Sequence, residues 1–243
     1  MVMLALPPLL GALAGGPLFA REYEQGTQIL SLTQSVGTAN WWASKTAVAG
    51  LPVAVGLLVL GFINEWAMEP MSSFPAKHLL TPGFQTRGIT PAAYFILAFA
   101  IAVTAGIVLR NTAAAIGSTA AIYLLLLLLL GLARPYYAAP ELSREPVPAA
   151  SGSRPAGDVG GSWQLDYFYV NSAGEQVTPR INDCPADPDH EQCLVQQGVT
   201  GLVMEYHPAE RFWRFQATES GLALAASALL LGAGLVRLRR HIT

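Results

Sequence analysis

Hydrophobic positions in this chain fill whole blocks instead of recurring with a helical or strand period. Five windows, residues 1–20, 46–64, 88–109, 111–133 and 220–236, contain no Asp, Glu, Lys or Arg and are rich in apolar side chains. A bilayer core about 30 Å thick takes roughly 20 helical residues to cross, and the first four windows are of that length. The fifth is shorter, but the amphipathic run 212–215 ahead of it lets its helix begin at the interface. Tyr123 is followed by unbroken leucine up to Leu130. A soluble amphipathic helix keeps one polar face, and this stretch has none. The pattern predicts about five transmembrane helices.

The first window has a second reading. An Ala-x-Ala at 12–14 suits signal-peptide cleavage, but no basic residue precedes it, as a signal peptide would require. Pro7, Pro8 and Pro17 weaken it as a helix, because each removes a backbone donor. A retained membrane helix is the expectation.

The polar segments predict one further domain. Residues 134–155 are rich in Pro, Ala, Ser and Glu and read as an extended linker,. Residues 163–170 (Trp-Gln-Leu-Asp-Tyr-Phe-Tyr-Val) read as a strand, 171–174 as a turn and 175–178 as the returning strand,. A helical turn at 193–197 and another extended piece at 201–206 follow. Pro208 suits the first turn of a helix that continues through 211–215 into the last span. This is a small α+β domain, and a core of that size is marginal alone. Its aromatic strand is read either as the inward face of a small sheet or as a ligand contact.

Composition agrees with lipid as the solvent: 52% of residues are hydrophobic and 12% charged, against about a quarter charged in soluble domains. The net charge of −2 points to neither a nucleic-acid partner nor a polybasic surface anchor. Of 16 acidic residues, 12 lie between Arg134 and Glu219, with 6 basic ones. Short-loop Lys and Arg set topology. With residues 21–45 inside, Arg21, Lys45, Arg110, Arg237, Arg239 and Arg240 all fall inside, and the short outer loop keeps only Lys77 and Arg87. The N-terminus is then outside, the C-terminus cytoplasmic and the acidic block outside. Trp41, Trp42, Trp66, Tyr136, Tyr137 and Trp213 sit where interfacial aromatic belts belong,.

Candidate chemistry is sparse. Cys184 and Cys193 enclose eight residues in the outer block; an oxidising exterior permits a disulfide there. A metal reading would add His190, Asp187, Asp189 and Glu191, but it lacks a convincing fourth zinc ligand, and the disulfide is preferred. His78, His190, His207 and His241 are scattered, and no Gly-x-Ser-x-Gly elbow or Gly-x-x-x-x-Gly-Lys-Ser/Thr phosphate loop occurs,. His207, beside Glu205 and Glu210, reads as an interfacial residue. The five windows hold no ionisable side chain at membrane depth, which argues against proton coupling and intramembrane catalysis. Small residues, including Ala47, Gly50, Gly56, Gly61, Ala98, Ala102 and Gly106, permit close helix packing,.

The most informative stretch is 21–45. An acidic amphipathic start leaves the membrane at Arg21, Gly26-Thr27 opens a second short helix over 27–33, and Trp41, Trp42 and Lys45 anchor re-entry. Read by itself it is an interfacial loop whose apolar residues touch headgroups. It also resembles the coupling segment of ABC-2-type transporter permeases, with Arg21-Glu22, then Gly26-Thr27, a short apolar run and the later Lys45. The resemblance continues at Arg87–Tyr94, at Arg110-Asn111-Thr112 and at His207–Gln216. It looks like the bacterial branch of that family with an enlarged outer domain before the last helix.

That resemblance implies a fold and a division of labour. The fold is an all-α polytopic membrane protein with an inserted small α+β extracytoplasmic domain. Helices 1–4 occupy 1–133, the outer linker and domain 134–215, and the last helix with its basic tail 216–243. Such permeases usually have six spans, and the match begins here at the second. The implied chain is a permease subunit of an ATP-driven exporter in the bacterial cell membrane, without a cofactor or catalysis of its own. Its implied partners are a cytoplasmic ABC ATPase, a second permease copy or paralogue, and membrane lipid. The coupling residues carried over are Arg21, Glu22, Glu24, Gly26, Thr27, Leu30, Gln34, Ser35 and Lys45. The competing class is a membrane-anchored extracytoplasmic binding or sensory protein, which would not need 21–45 to dock an ATPase.

Overall fold

The computed structural model describes residues 2–27, 37–68, 79–80, 82–147, 162–185 and 190–240. The chain divides into two compact units, one holding the five long helices and the other Pro135–Phe212.

In the first unit, α1 (Val2–Glu24), α2 (Thr38–Met68), α3 (Thr90–Leu109) and α4 (Thr112–Ala133) follow in order, and the last helix of the chain spans Phe212–Arg240. All five are long and apolar enough to cross a membrane. The fold is thus that of a multi-pass helical membrane protein with a small antiparallel sheet region. α1 runs through Pro7, Pro8 and Pro17 without a break. Neighbouring helices in a bundle re-satisfy what proline frees. α2 begins eight residues before the apolar window drawn from sequence and so includes Lys45.

α3 is the centre of the bundle, buried on nearly every face, whereas α2 and α4 leave Val48, Leu51, Leu124 and Leu128 exposed. That is the pattern of one helix shielded by others and the remainder facing an apolar solvent. α1 meets α3 without intervening side chains. A Cβ on Gly11 would stand 2.6 Å from the Ala98 Cβ, and one on Gly15 2.8 Å from the Ala102 Cβ. Small residues repeating every four positions on both helices permit this approach.

Helix ends within this unit sort into two sets. The end of α1, the start of α2 and the α3–α4 turn meet through Glu22–Lys45 and Glu24–Thr112. The start of α3, the end of α4 and the start of the last helix meet through Tyr94, Arg134 and Glu219.

The second unit is a four-stranded antiparallel sheet of β1 (Glu141–Pro146), β2 (Trp163–Val170), β3 (Gln176–Val177) and β4 (Gly201–His207), in the order β1-β4-β2-β3. The linker expected over 134–155 is corrected for 141–146, which pair with β4 from Glu141↔Tyr206 to Pro146↔Gly201. β2 pairs with β4 on its other side, with a register shift between Gln164 and Asp166. The short helix α5 (His190–Gln196) packs Leu194 with Val147, Val199, Leu202 and Met204 in a small core. The last helix, α6 (Phe212–Arg240), follows a 3-10 turn at Ala209–Arg211.

Candidate functional site

Residues 21–27 end α1 by hydrogen bonding. Gly26 has φ +69°, Thr27 N–H donates to Glu22 O at 3.0 Å, and Gly26 N–H donates to Tyr23 O at 3.3 Å. This paired closure around a left-handed residue is the Schellman motif, and glycine adopts that conformation without steric cost. Gly26 therefore stops a helix; the second helix expected over 27–33 falls mainly outside the described residues, as do Leu30, Gln34 and Ser35.

The other charged members of the segment have partners. Glu22 is ion-paired with Lys45 across the loop, and the Lys45 ammonium lies 4.9 Å from the Phe19 ring centre and 5.0 Å from that of Trp41. Two aromatic faces beside one carboxylate hold the cation at a single place. Glu24 accepts from Thr112 N–H at 2.7 Å and from Thr112 Oγ1–H at 2.9 Å. Asn111 Oδ1 accepts from Ala114 N–H at 2.8 Å. Two side chains thus satisfy the start of α4, where a negative charge is favoured. Arg110, with φ 53°, closes α3 through its N–H to Gly106 O at 3.1 Å and lies 5.1 Å above the Tyr23 ring. Arg21 is exposed.

The opposite set of helix ends holds what the sequence reading missed. α6 begins early enough to bring Glu219 into the bundle, fully buried. Arg134 donates to it twice, from Nε at 2.9 Å and from Nη2 at 2.8 Å, and the Tyr94 hydroxyl donates to Glu219 Oε1 as well. The Phe84 ring centre is 4.1 Å from the Arg134 guanidinium carbon. One turn before Glu219, Gln216 accepts from Ile89 and Thr90 N–H, both at 3.1 Å. Its Nε2 donates to Phe84 O at 2.9 Å and Arg87 O at 3.1 Å. The absence of ionisable groups at depth holds for the windows as drawn, but not for the helix that forms. The available signal was Glu219 directly abutting the fifth window, with Arg134 directly abutting the fourth.

In the second unit, His207 is buried, because β4 carries it inward against Trp163. Its Nε2 is 2.9 Å from Pro135 O and its Nδ1 3.0 Å from Arg211 Nη1. Arg211 also donates to Ala139 O and Glu141, each at 2.6 Å. The buried imidazole's pKa is lowered, first by desolvation and then by the Arg211 charge. Cys184 and Cys193 are joined as a disulfide, with Gln197 Nε2 3.3 Å from one sulfur and 3.4 Å from the other. Beside them an open cleft of about 480 Å³ is lined by Val177, Thr178, Pro179, Arg180, Asp183 and Gln197. Among the described residues no three His, Cys, Asp or Glu side chains converge as metal ligands; Asp187 and Asp189 lie outside those residues.

Five apolar helices with polar ends define a polytopic membrane protein. Residues 1–134 match the family model described as ABC-2 membrane transporter related, and the chain belongs to that family as a transporter permease subunit. The match contains the 21–45 segment, Arg87–Tyr94 and Arg110–Thr112, whereas His207–Gln216 lies beyond it. Comparisons with curated proteins and with solved structures found no match.

Proposed function

We propose that this permease works as the membrane half of an ATP-driven ABC exporter, with the Glu22–Lys45 end of the bundle facing the cytoplasm and docking a partner ATPase. The observation carrying this reading is that both margins of the 21–45 segment are fixed. The Schellman closure at Gly26 and the Glu22–Lys45 pair hold the entry and exit of the loop together. A loop fastened at both margins passes a push from an ATPase into α1 and α2 instead of absorbing it. The basic tail Arg237–Arg240 includes Leu238, which packs in one cluster with Trp42 and Ile107; positive charge on that side agrees with a cytoplasmic face. A second permease copy and an extracytoplasmic place for Pro135–Phe212 complete the proposal.

The partners already found for Glu22, Glu24 and Lys45 divide the segment. These three hold the scaffold, which leaves exposed Arg21, with Leu30, Gln34 and Ser35, to meet the ATPase. The test is purification of the tagged chain from its host membranes in mild detergent, with ATP hydrolysis measured in the eluate. Wild-type chain is expected to bring hydrolytic activity with it, and Arg21→Glu to lose most of it at unchanged yield. Wild-type eluate with no associated ATPase would sink the proposal.

A further inference from the structure

A buried ion pair between helices that face lipid needs a reason. Replacing such a pair by apolar side chains is commonly neutral or stabilising, so Arg134–Glu219 is not explained by its contribution to stability. Inside a membrane bundle, ionisable residues mark the working parts. Two neighbouring anchors on α6 behave differently. Gln216 uses its amide in four hydrogen bonds to the backbone of 84–90, a saturated arrangement with one solution. The three helices that meet at Glu219, by contrast, carry unused hydroxyls. Thr90 Oγ1, Ser220 Oγ and Tyr123 OH are all buried and have no hydrogen-bond partner. Thr90 lies one turn before Tyr94 on α3, Ser220 follows Glu219 on α6, and the Tyr123 ring meets Tyr94 edge-on at 6.3 Å.

We propose that Tyr94, Arg134 and Glu219 form a latch that holds this end of the bundle shut, with Gln216 as the fixed pivot and the idle hydroxyls of Thr90, Ser220 and Tyr123 as the partners taken when the latch opens. The idea rests on reading the bundle as the moving part of a permease. Its logic is bistability. A charge leaving its partner inside the bundle must find another polar group at once, and each of the three helices carries an unpartnered hydroxyl. Mechanical separation of α4 from α6 would operate this device.

The chain provides a clean reporter. It has 2 cysteines, and these are bonded to each other, so Thr90→Cys introduces the single reactive thiol at a buried position whose hydroxyl has no bond to lose. In lipid nanodiscs, the rate of maleimide labelling and the melting temperature are compared with and without the apolar replacement Tyr94→Phe, Arg134→Met and Glu219→Leu. A latch predicts labelling about tenfold faster or more at a melting temperature within a few degrees of the parent. Unchanged labelling overturns the proposal. So does faster labelling accompanied by a collapse in melting temperature, which would mean that the pair only holds the fold. No ATPase enters the assay, so this result stands apart from the docking test.

Discussion

Gln216 shows how much one side chain settles. Its four hydrogen bonds satisfy the backbone where the 82–90 segment turns into α3. Gln216→Leu keeps the volume but strands two N–H and two carbonyl groups, and each stranded group costs about 1–3 kcal/mol. The expected loss is about 3 kcal/mol or more, read from thermal unfolding in detergent. Gly61 offers a steric counterpart: Gly88 N–H donates to Gly61 O at 3.0 Å, and a Cβ on Gly61 would run into the Gly88 carbonyl oxygen. Gly61→Ala should cost about 1–3 kcal/mol by the same measurement. His207 gives a pH dependence. The fold uses the neutral ring, donating from Nε2 and accepting at Nδ1 from Arg211, with Glu141 and Trp163 nearby. Its folded pKa lies below the ordinary value, so the unfolded chain binds the proton first. The stabilisation is complete above about pH 6.5 and is lost as pH falls through the folded pKa. Melting of this unit should therefore drop as pH falls below about 6.5, and His207→Gln should flatten that drop.

At the scale of elements, helix ends decide more than helix interiors. Gly26 is exposed and no atom crowds its Cβ position, so Gly26→Ala tests conformation alone. The substitution should cost about 1 kcal/mol and Gly26→Asn less, because Asn tolerates the left-handed region. Faster amide exchange at Gly26 and Thr27 would report it. What was legible in the sequence follows the range of the forces involved. The aromatic run 163–170 forms β2 over the same residues because its propensity and turn signals are local. β1 was hidden, since Glu, Arg and Pro are poor strand formers and its pairing with β4 is long-range. The five helices announced themselves by composition. Gln216 and Glu219 did not, because their partners stand 85 to 132 positions away and no window of sequence contains both sides of the contact. Glu24 was legible as a member of a motif but not as the cap of α4, for the same reason.

At the scale of the whole molecule, the division into two compact units predicts separable stabilities. Cys184 and Cys193 are 9 positions apart, and closing so short a loop restricts the unfolded chain by about 2–3 kcal/mol. Replacing both by Ser should lower the melting of Pro135–Phe212 and leave the helix bundle unchanged; circular dichroism at two wavelengths separates the sheet from the helices. The Arg134–Glu219 pair has a further consequence, in time instead of space. Its members are 85 positions apart, and a ribosome adding about 5–20 residues per second needs roughly 4 to 17 s to travel from one to the other. Throughout that interval the nascent protein carries an arginine at the end of α4 whose carboxylate does not yet exist. The first four helices are thus made as an unfinished object, and a chain stopped before α6 should stay protease-sensitive in the membrane. Completion of the last helix is the event that brings Glu219 to the cation.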